Sequence, residues 1–298
     1  MAIRIRELFE HTKRPEVAFV LGGGGNLGAI QVGHLRALLE RGIVPDVVIG
    51  CSVGALNAAA VAGNPTTQEI DRLVDLWGTL TRNDVFPTSR WNRGPWLFVR
   101  NGLAAYSNAG LAQVIDGWLR YRVFEEASVP LWIVATSMQT GLEHWFHSGD
   151  VRAALLASTA LPGFFPPMEI DGESFIDGGV VNNVPISKAI ELGAKHIFVL
   201  DVGNHIRERK APQRPFEVLM HAVAIARAHR YRVDLDHVPE GVNIYPMPSI
   251  DTRGLRYDDF KQSRRLMEIA HKTGAAFLAH PALQLPSQKS RRRIRATG

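Results

Sequence analysis

Glu16-Val-Ala-Phe-Val-Leu21 and Gly22-Gly-Gly-Gly25 open a run that continues with a periodic segment from Leu27 to Arg41. Pro45-Asp-Val-Val-Ile49, Gly50-Cys-Ser-Val-Gly54 and Ala55-Leu-Asn-Ala-Ala-Ala60 complete it. Short apolar runs bounded by glycine or proline read as buried strands. Ile30, Leu35, Leu38 and Leu39 recur at helical spacing, and Gly42 supplies the stop. Strand, helix, strand, helix with short links is a βαβ unit. Such units build a parallel sheet with helices packed on it, so the expected architecture is three-layer α/β/α with a mostly parallel central sheet.

Outward from this unit the pattern holds. Thr66–Leu80 is amphipathic, with Thr66 as N-cap and Glu69 at the capping-box position. Residues 82–107, rich in Asn, Gly, Pro and Trp, interrupt it and read as an insertion or lid. Asn108–Arg120 and Val151–Thr159 are expected helices, and Pro130–Ala135 is a buried strand that Glu143–His147 can join. Met168–Ile176 reads as a hairpin around Asp171-Gly172. Ile186–Leu192 is a helix and His196–Leu200 a strand. Phe216–Arg230 and Phe260–Leu278 are helices flanking a strand near Val242–Tyr245. No repeat or linker divides the chain, so residues 1–285 are expected to form one domain and 286–298 a basic tail.

The chain has 298 residues and a formal net charge of +5. No acidic residue follows Pro281, whereas Lys289, Arg291, Arg292, Arg293 and Arg295 do, so the whole excess sits in the tail and residues 1–280 balance. A nucleic-acid-binding domain carries its basic excess on the folded body, so no nucleic-acid partner is expected. The single cysteine, Cys51, cannot form an intramolecular disulfide, which fits a reducing compartment. The first twenty residues carry seven charges and no signal-peptide core. No stretch approaches the roughly 18 uncharged apolar residues of a spanning helix. A cytoplasmic protein, able to meet the membrane at its periphery, is expected.

Gly50-Cys51-Ser52-Val53-Gly54 is a G-x-S-x-G between strand and helix. A nucleophilic serine needs that sharp turn, and the following helix aims its N-terminal dipole at the hydroxyl. Gly22–Gly25 exposes successive backbone N–H groups to one point, a nest for phosphate or an oxyanion. Gly23, Gly25 and Gly28 also satisfy G-x-G-x-x-G. A dinucleotide site, however, wants an acidic residue at the end of the second strand, where Cys51 and Ser52 stand. Asp177-Gly178-Gly179 presents a carboxylate on a bare turn, a weak signal alone. An α/β-hydrolase triad needs a histidine, and His144, His147 and His205 are candidates by position only.

Together these segments resemble the patatin-like phospholipase family. Leu21–Gly33 resembles its glycine-rich oxyanion segment, Gly50–Gly54 its nucleophile elbow and Asp177–Gly179 its DG[GA] motif. Ala157-Ser-Thr-Ala-Leu-Pro-Gly-Phe-Phe-Pro-Pro167 resembles the block preceding the aspartate. The resemblance covers residues 20–180 and no motif beyond. It departs at Leu27, where the family usually has Arg or Lys.

The resemblance implies a patatin-like fold and a lipid acyl hydrolase with no cofactor or metal. Ser52 would be the nucleophile, Asp177 the proton acceptor, and Gly23, Gly24 and Gly25 the oxyanion hole. Gly28, Gly50, Gly54, Gly178 and Gly179 would shape the motifs. Leu27 is the one feature favouring the alternative, a non-catalytic lipid- or ligand-binding protein on the same scaffold. Phe86, Trp91, Trp96, Leu97, Phe98 and Val99, interspersed with Arg90, Arg93 and Arg100, suit an acyl channel or a contact with anionic membrane, and Phe164 and Phe165 suit the pocket. The basic tail suits the same membrane contact.

Overall fold

A computed structural model of the chain describes residues 14–87, 104–202, 215–252, 255, 258–281 and 283. Trp91, Trp96, Leu97, Phe98, Val99 and the three arginines among them lie outside the described residues, as do His205 and the basic tail.

Strand β1 (Val17–Leu21) leads through the glycine loop into helix α1 (Gly28–Glu40). Strand β2 (Val47–Cys51) then turns into α2 (Val53–Gly63). Helices α3 (Thr67–Thr79), α4 (Arg82–Val85) and α5 (Ala109–Trp118) follow. Next come β3 (Leu131–Ser137), β4 (Glu143–Phe146), α6 (Val151–Ser158), and the hairpin of β5 (Met168–Ile170) and β6 (Glu173–Asp177). The chain continues through α7 (Ile186–Glu191), β7 (His196–Leu200), α8 (Pro215–Asp236), β8 (Asn243–Pro246) and α9 (Ser263–Leu278).

These eight strands form one sheet in the order β5-β6-β3-β2-β1-β7-β8, with β4 also on β3. The pairs β3-β2, β2-β1, β1-β7 and β7-β8 are parallel, and the pairs made by β4, β5 and β6 are antiparallel. The mostly parallel expectation holds, with an antiparallel extension at one side. The turn at Asp171-Gly172 has both residues at positive φ, 51° and 81°, as a two-residue hairpin requires.

Alternation along the central strands assigns the layers. Val17, Phe19 and Leu21 point into the larger core cluster with residues of α1, α2, α3 and α9. Ala18 and Val20 point the other way, onto Ile186 and Ala189 of α7 and toward Tyr231 and Leu235 of α8. A sheet buried on both faces explains why its strands read as continuous apolar runs. Thr66 Oγ1 accepts the Glu69 amide at the start of α3, the expected cap. Among the described residues, no helix is long and apolar enough to cross a membrane.

Candidate active site

The register of β3 brings the site together. Gly50 and Cys51 of β2 pair with Ile133 and Val134, and Asp177 of β6 pairs with Ala135. Strand β4 occupies the opposite edge of β3 throughout this stretch. Strands β2 and β6 therefore approach each other head to head along a single edge. The end of one is Ser52 and the end of the other is Asp177. Residues 125 positions apart are thus neighbours by strand register alone.

Ser52 sits at φ 53° and ψ −126°, and only it and Asp171 are non-glycine residues with positive φ among those described. Holding a side chain there costs on the order of 1–3 kcal/mol, which the surrounding packing must offset. Gly54 shows how tight that packing is. A Cβ on it would lie 2.3 Å from the Leu21 carbonyl oxygen and 2.6 Å from that of Gly22. The elbow thus presses directly on the end of β1, where the glycine loop begins. The Ser52 amide donates to Ser158 Oγ at 2.9 Å, and Ser52 heads α2, whose dipole favours negative charge at the hydroxyl. Cys51 points inward as a free, fully buried thiol whose pKa burial pushes well up.

Ser52 Oγ donates to Asp177 Oδ2 at 2.7 Å. The other carboxylate oxygen, Oδ1, accepts the Gly179 amide at 2.7 Å. Asp177 is only 2% exposed. Burial raises its pKa above the ordinary carboxylate value, while Arg227, the Ser52 hydroxyl and the Gly179 amide pull it back. Its backbone is pinned as well, the amide to Ala160 O at 2.9 Å and the carbonyl to Thr136 Oγ1 at 3.0 Å. Gly178 meets β3 so closely that a Cβ would lie 2.3 Å from Val134 O.

Across from Ser52 lies the glycine loop. Gly23 is braced on both sides by Asn183, its amide donating to Asn183 O at 3.0 Å and its carbonyl accepting from Asn183 Nδ2 at 3.1 Å. The Gly23 amide is therefore already engaged, whereas Gly24 and Gly25 also line the space in front of Ser52. Gln31, buried in α1, donates to the carbonyls of Gly22 and Leu200, tying the ends of β1 and β7 to the helix. Gly28 and Gly50 lie in the tight contacts between α1, α2 and β2, and Gly28 packs against Val53 and Trp77.

A cavity of about 390 Å³ opens on this group. Gly23–Gly25, Ser52 and Asp177 form its polar end. Leu56, Trp77, Phe86, Trp118, Phe164 and Phe165 are among its apolar walls, so both phenylalanines and the near end of the 82–107 stretch reach it. Phe86, Tyr106, Phe164 and Phe165 pack as one aromatic group, with centroids 5.3–6.5 Å apart, some rings stacked and others edge-on. Residues 200–262, where the sequence carries no motif, supply much of the remaining wall, including Val223, Arg227, Thr252, Leu255 and Phe260. Leu27 lines the cavity too, and among the described lining residues Arg227 is the one basic side chain. No histidine lines it among the described residues. His144 packs on Phe146 and Phe175, and His147 stacks on Trp132 at 4.1 Å. Among the described residues no three His, Cys, Asp or Glu side chains are grouped as metal ligands.

Known proteins are similar to this chain. A Caenorhabditis elegans protein described as patatin-like phospholipase domain-containing protein ZK370.4 is 33% identical over 190 residues, 63% of this chain and 14% of that protein. Lysophospholipase NTE1 of Phaeosphaeria nodorum is 27% identical over 293 residues, 88% of this chain and 18% of the relative. This chain thus spans less than a fifth of the length of these curated relatives. Among solved structures, VipD from Legionella pneumophila is similar at a TM-score of 0.48 and 14% identity, over 89% of this chain and 67% of that one. The model of the family described as patatin-like phospholipase matches residues 19–190, more than half the chain, and the chain belongs to that family.

Proposed function

We propose that the chain is a serine acyl hydrolase that cleaves carboxylic esters of lipids by a Ser52–Asp177 dyad. The observation that carries this reading is the 2.7 Å hydrogen bond from Ser52 Oγ to Asp177 Oδ2 at the polar end of an apolar cavity. Ser52 Oγ attacks the ester carbonyl and its proton passes to Asp177. The N–H groups of Gly24 and Gly25 hold the oxyanion of the tetrahedral intermediate. Collapse expels the alcohol, which takes the proton from Asp177, and leaves an acyl-Ser52 ester. Water, giving its proton to Asp177, then releases the fatty acid and restores the serine.

A carboxylate with a free pKa of ~3.9 is a weak base for a hydroxyl. Burial of Asp177 raises its basicity, and the remaining barrier falls to the oxyanion donors, each worth about 3 kcal/mol in comparable sites. With a carboxylate bonded directly to Ser52 Oγ, the dyad is favoured over a Ser-His-Asp triad. The relatives' names, lysophospholipase and patatin-like phospholipase, suggest phospholipid or lysophospholipid as substrate, and the apolar cavity suits one acyl chain. Leu27 removes a cation from the loop but none of its backbone donors, so activity is expected to persist.

The test is steady-state hydrolysis of lysophospholipid and of a short soluble ester by the parent, Ser52→Ala and Asp177→Asn, with folding checked by circular dichroism. Both variants should stay folded and lose turnover. A folded variant with parental rates would rule out the dyad, and a folded, inactive parent would favour the binding protein.

A further inference from the structure

Arg227 lies on α8, outside every motif, yet it reaches the centre of the site. Its Nε donates to the Gly179 carbonyl oxygen at 2.5 Å. Gly179 in turn gives its amide to Asp177 Oδ1, while Asp177 Oδ2 receives the Ser52 hydroxyl. A single residue, Gly179, thus links the guanidinium to the Asp177 carboxylate. We propose that Arg227 is a positioning residue of the hydrolytic site: it clamps the Asp177-Gly178-Gly179 turn and holds the Asp177 carboxylate ionised and aimed at Ser52. The inference rests on the Ser52–Asp177 reading above.

Physical need supports this role. A carboxylate this buried tends to take up a proton, and a protonated Asp177 cannot accept one from Ser52. The forces opposing protonation are the Arg227 charge and the hydrogen bonds from Ser52 and Gly179. The other titratable groups nearby offer no such help. Cys51 is a neutral buried thiol on β2, and Asp201, across the cavity after β7, and Glu143 on β4 are acidic. Arginine also suits the geometry, because its planar fork stays charged and leaves its remaining N–H groups beside the cavity. The position of α8 against the Gly178–Val180 turn therefore determines whether the base is active, which explains how a helix without a motif belongs to the site.

The test compares kcat and KM across pH for the parent, Arg227→Gln, Arg227→Lys and Asp177→Asn, on a short soluble ester. Arg227→Gln should lower kcat about tenfold or more, the size expected for losing a charged hydrogen bond, with KM little changed. Its acid limb, where activity rises as Asp177 ionises, should move to higher pH. Arg227→Lys keeps the charge, so its limb should stay near the parent's and its rate fall between parent and Gln. Parental kcat and limb in Arg227→Gln would overturn the proposal. So would a loss confined to KM, which would make Arg227 a substrate contact. If the Gln variant does not fold, the Lys variant decides: a displaced limb overturns the role of charge. Parental turnover by Asp177→Asn would instead overturn the dyad, independently of Arg227.

Discussion

Two walls of one cavity are built in contrasting ways. The first, residues 20–54, is shaped by close-packed backbone: the glycine loop and the elbow press together until a Cβ on Gly54 would lie 2.3 Å from a carbonyl oxygen. The second, from residues 200–262, is made of side chains such as Val223, Leu255 and Phe260. Where backbone meets backbone only glycine fits, so the constraint is written as glycine. Where side chains line a space, many apolar residues serve. The contrast teaches that a motif marks close approach of main chain rather than the extent of a site.

The largest effects fall on the catalytic side. Ser52→Ala and Asp177→Asn should lower kcat/KM by about a thousandfold or more, as removal of a nucleophile or base does elsewhere. Next in size is Gly54→Val, whose side chain has no room against β1. Overpacking costs of ~1–3 kcal/mol are typical, and more where, as here, the obstacle is backbone. Leu255→Met on the opposite wall conserves volume and should cost less than about 1.5 kcal/mol. Urea midpoints of the two variants measure the contrast, and equal losses would erase it.

His34 lies behind the first wall, outside the cavity lining. It is fully buried on α1 against Gly274 of α9, and among the described residues neither ring nitrogen has a partner. Burial pushes its pKa down from 6.5 to about 4. An unfolded chain takes up a proton near pH 6.5 that the folded chain refuses until about pH 4. Stability is therefore lost as pH falls through that window, by roughly 3 kcal/mol in full. His34→Leu should flatten this dependence. Urea midpoints of parent and variant at pH 7 and 4.5 check it, and parallel changes in the two proteins would contradict it.

Smaller effects sharpen the picture. Ser158→Ala leaves the Ser52 amide without its Oγ acceptor at the strained elbow, a loss of about 1–3 kcal/mol in thermal or urea unfolding. Smallest is deletion of residues 287–298, which should weaken binding to anionic vesicles through the loss of five positive charges and spare soluble-ester hydrolysis. Vesicle co-sedimentation measures it, and unchanged binding would exclude the tail from membrane contact.

Much of the fold was legible. The βαβ unit, the α3 cap and the Asp171-Gly172 hairpin each rest on local rules that tertiary packing did not override. Helix α8, however, runs to Asp236, six residues past the expected end, and α4 stands within the stretch read as an insertion or lid. The carboxylate was harder. Asp171-Gly172 and Asp177-Gly178 are the same dipeptide six residues apart, and only the register on β3 separates a turn from a site residue. The bracing role of Asn183 and the clamp made by Arg227 left no local signal, because each acts across the fold through backbone carbonyls. Ser158 lay within a recognised block, yet its hydrogen bond to the elbow needs the strand register to be known.

The proposed hydrolysis depends on an activated Ser52. Its most direct measurement is mass-spectrometric mapping of the folded full chain after reaction with a fluorophosphonate. A single adduct on Ser52, formed by the parent and strongly suppressed in Asp177→Asn, is the predicted result. An adduct confined to another residue, or a folded parent that takes none, would contradict it.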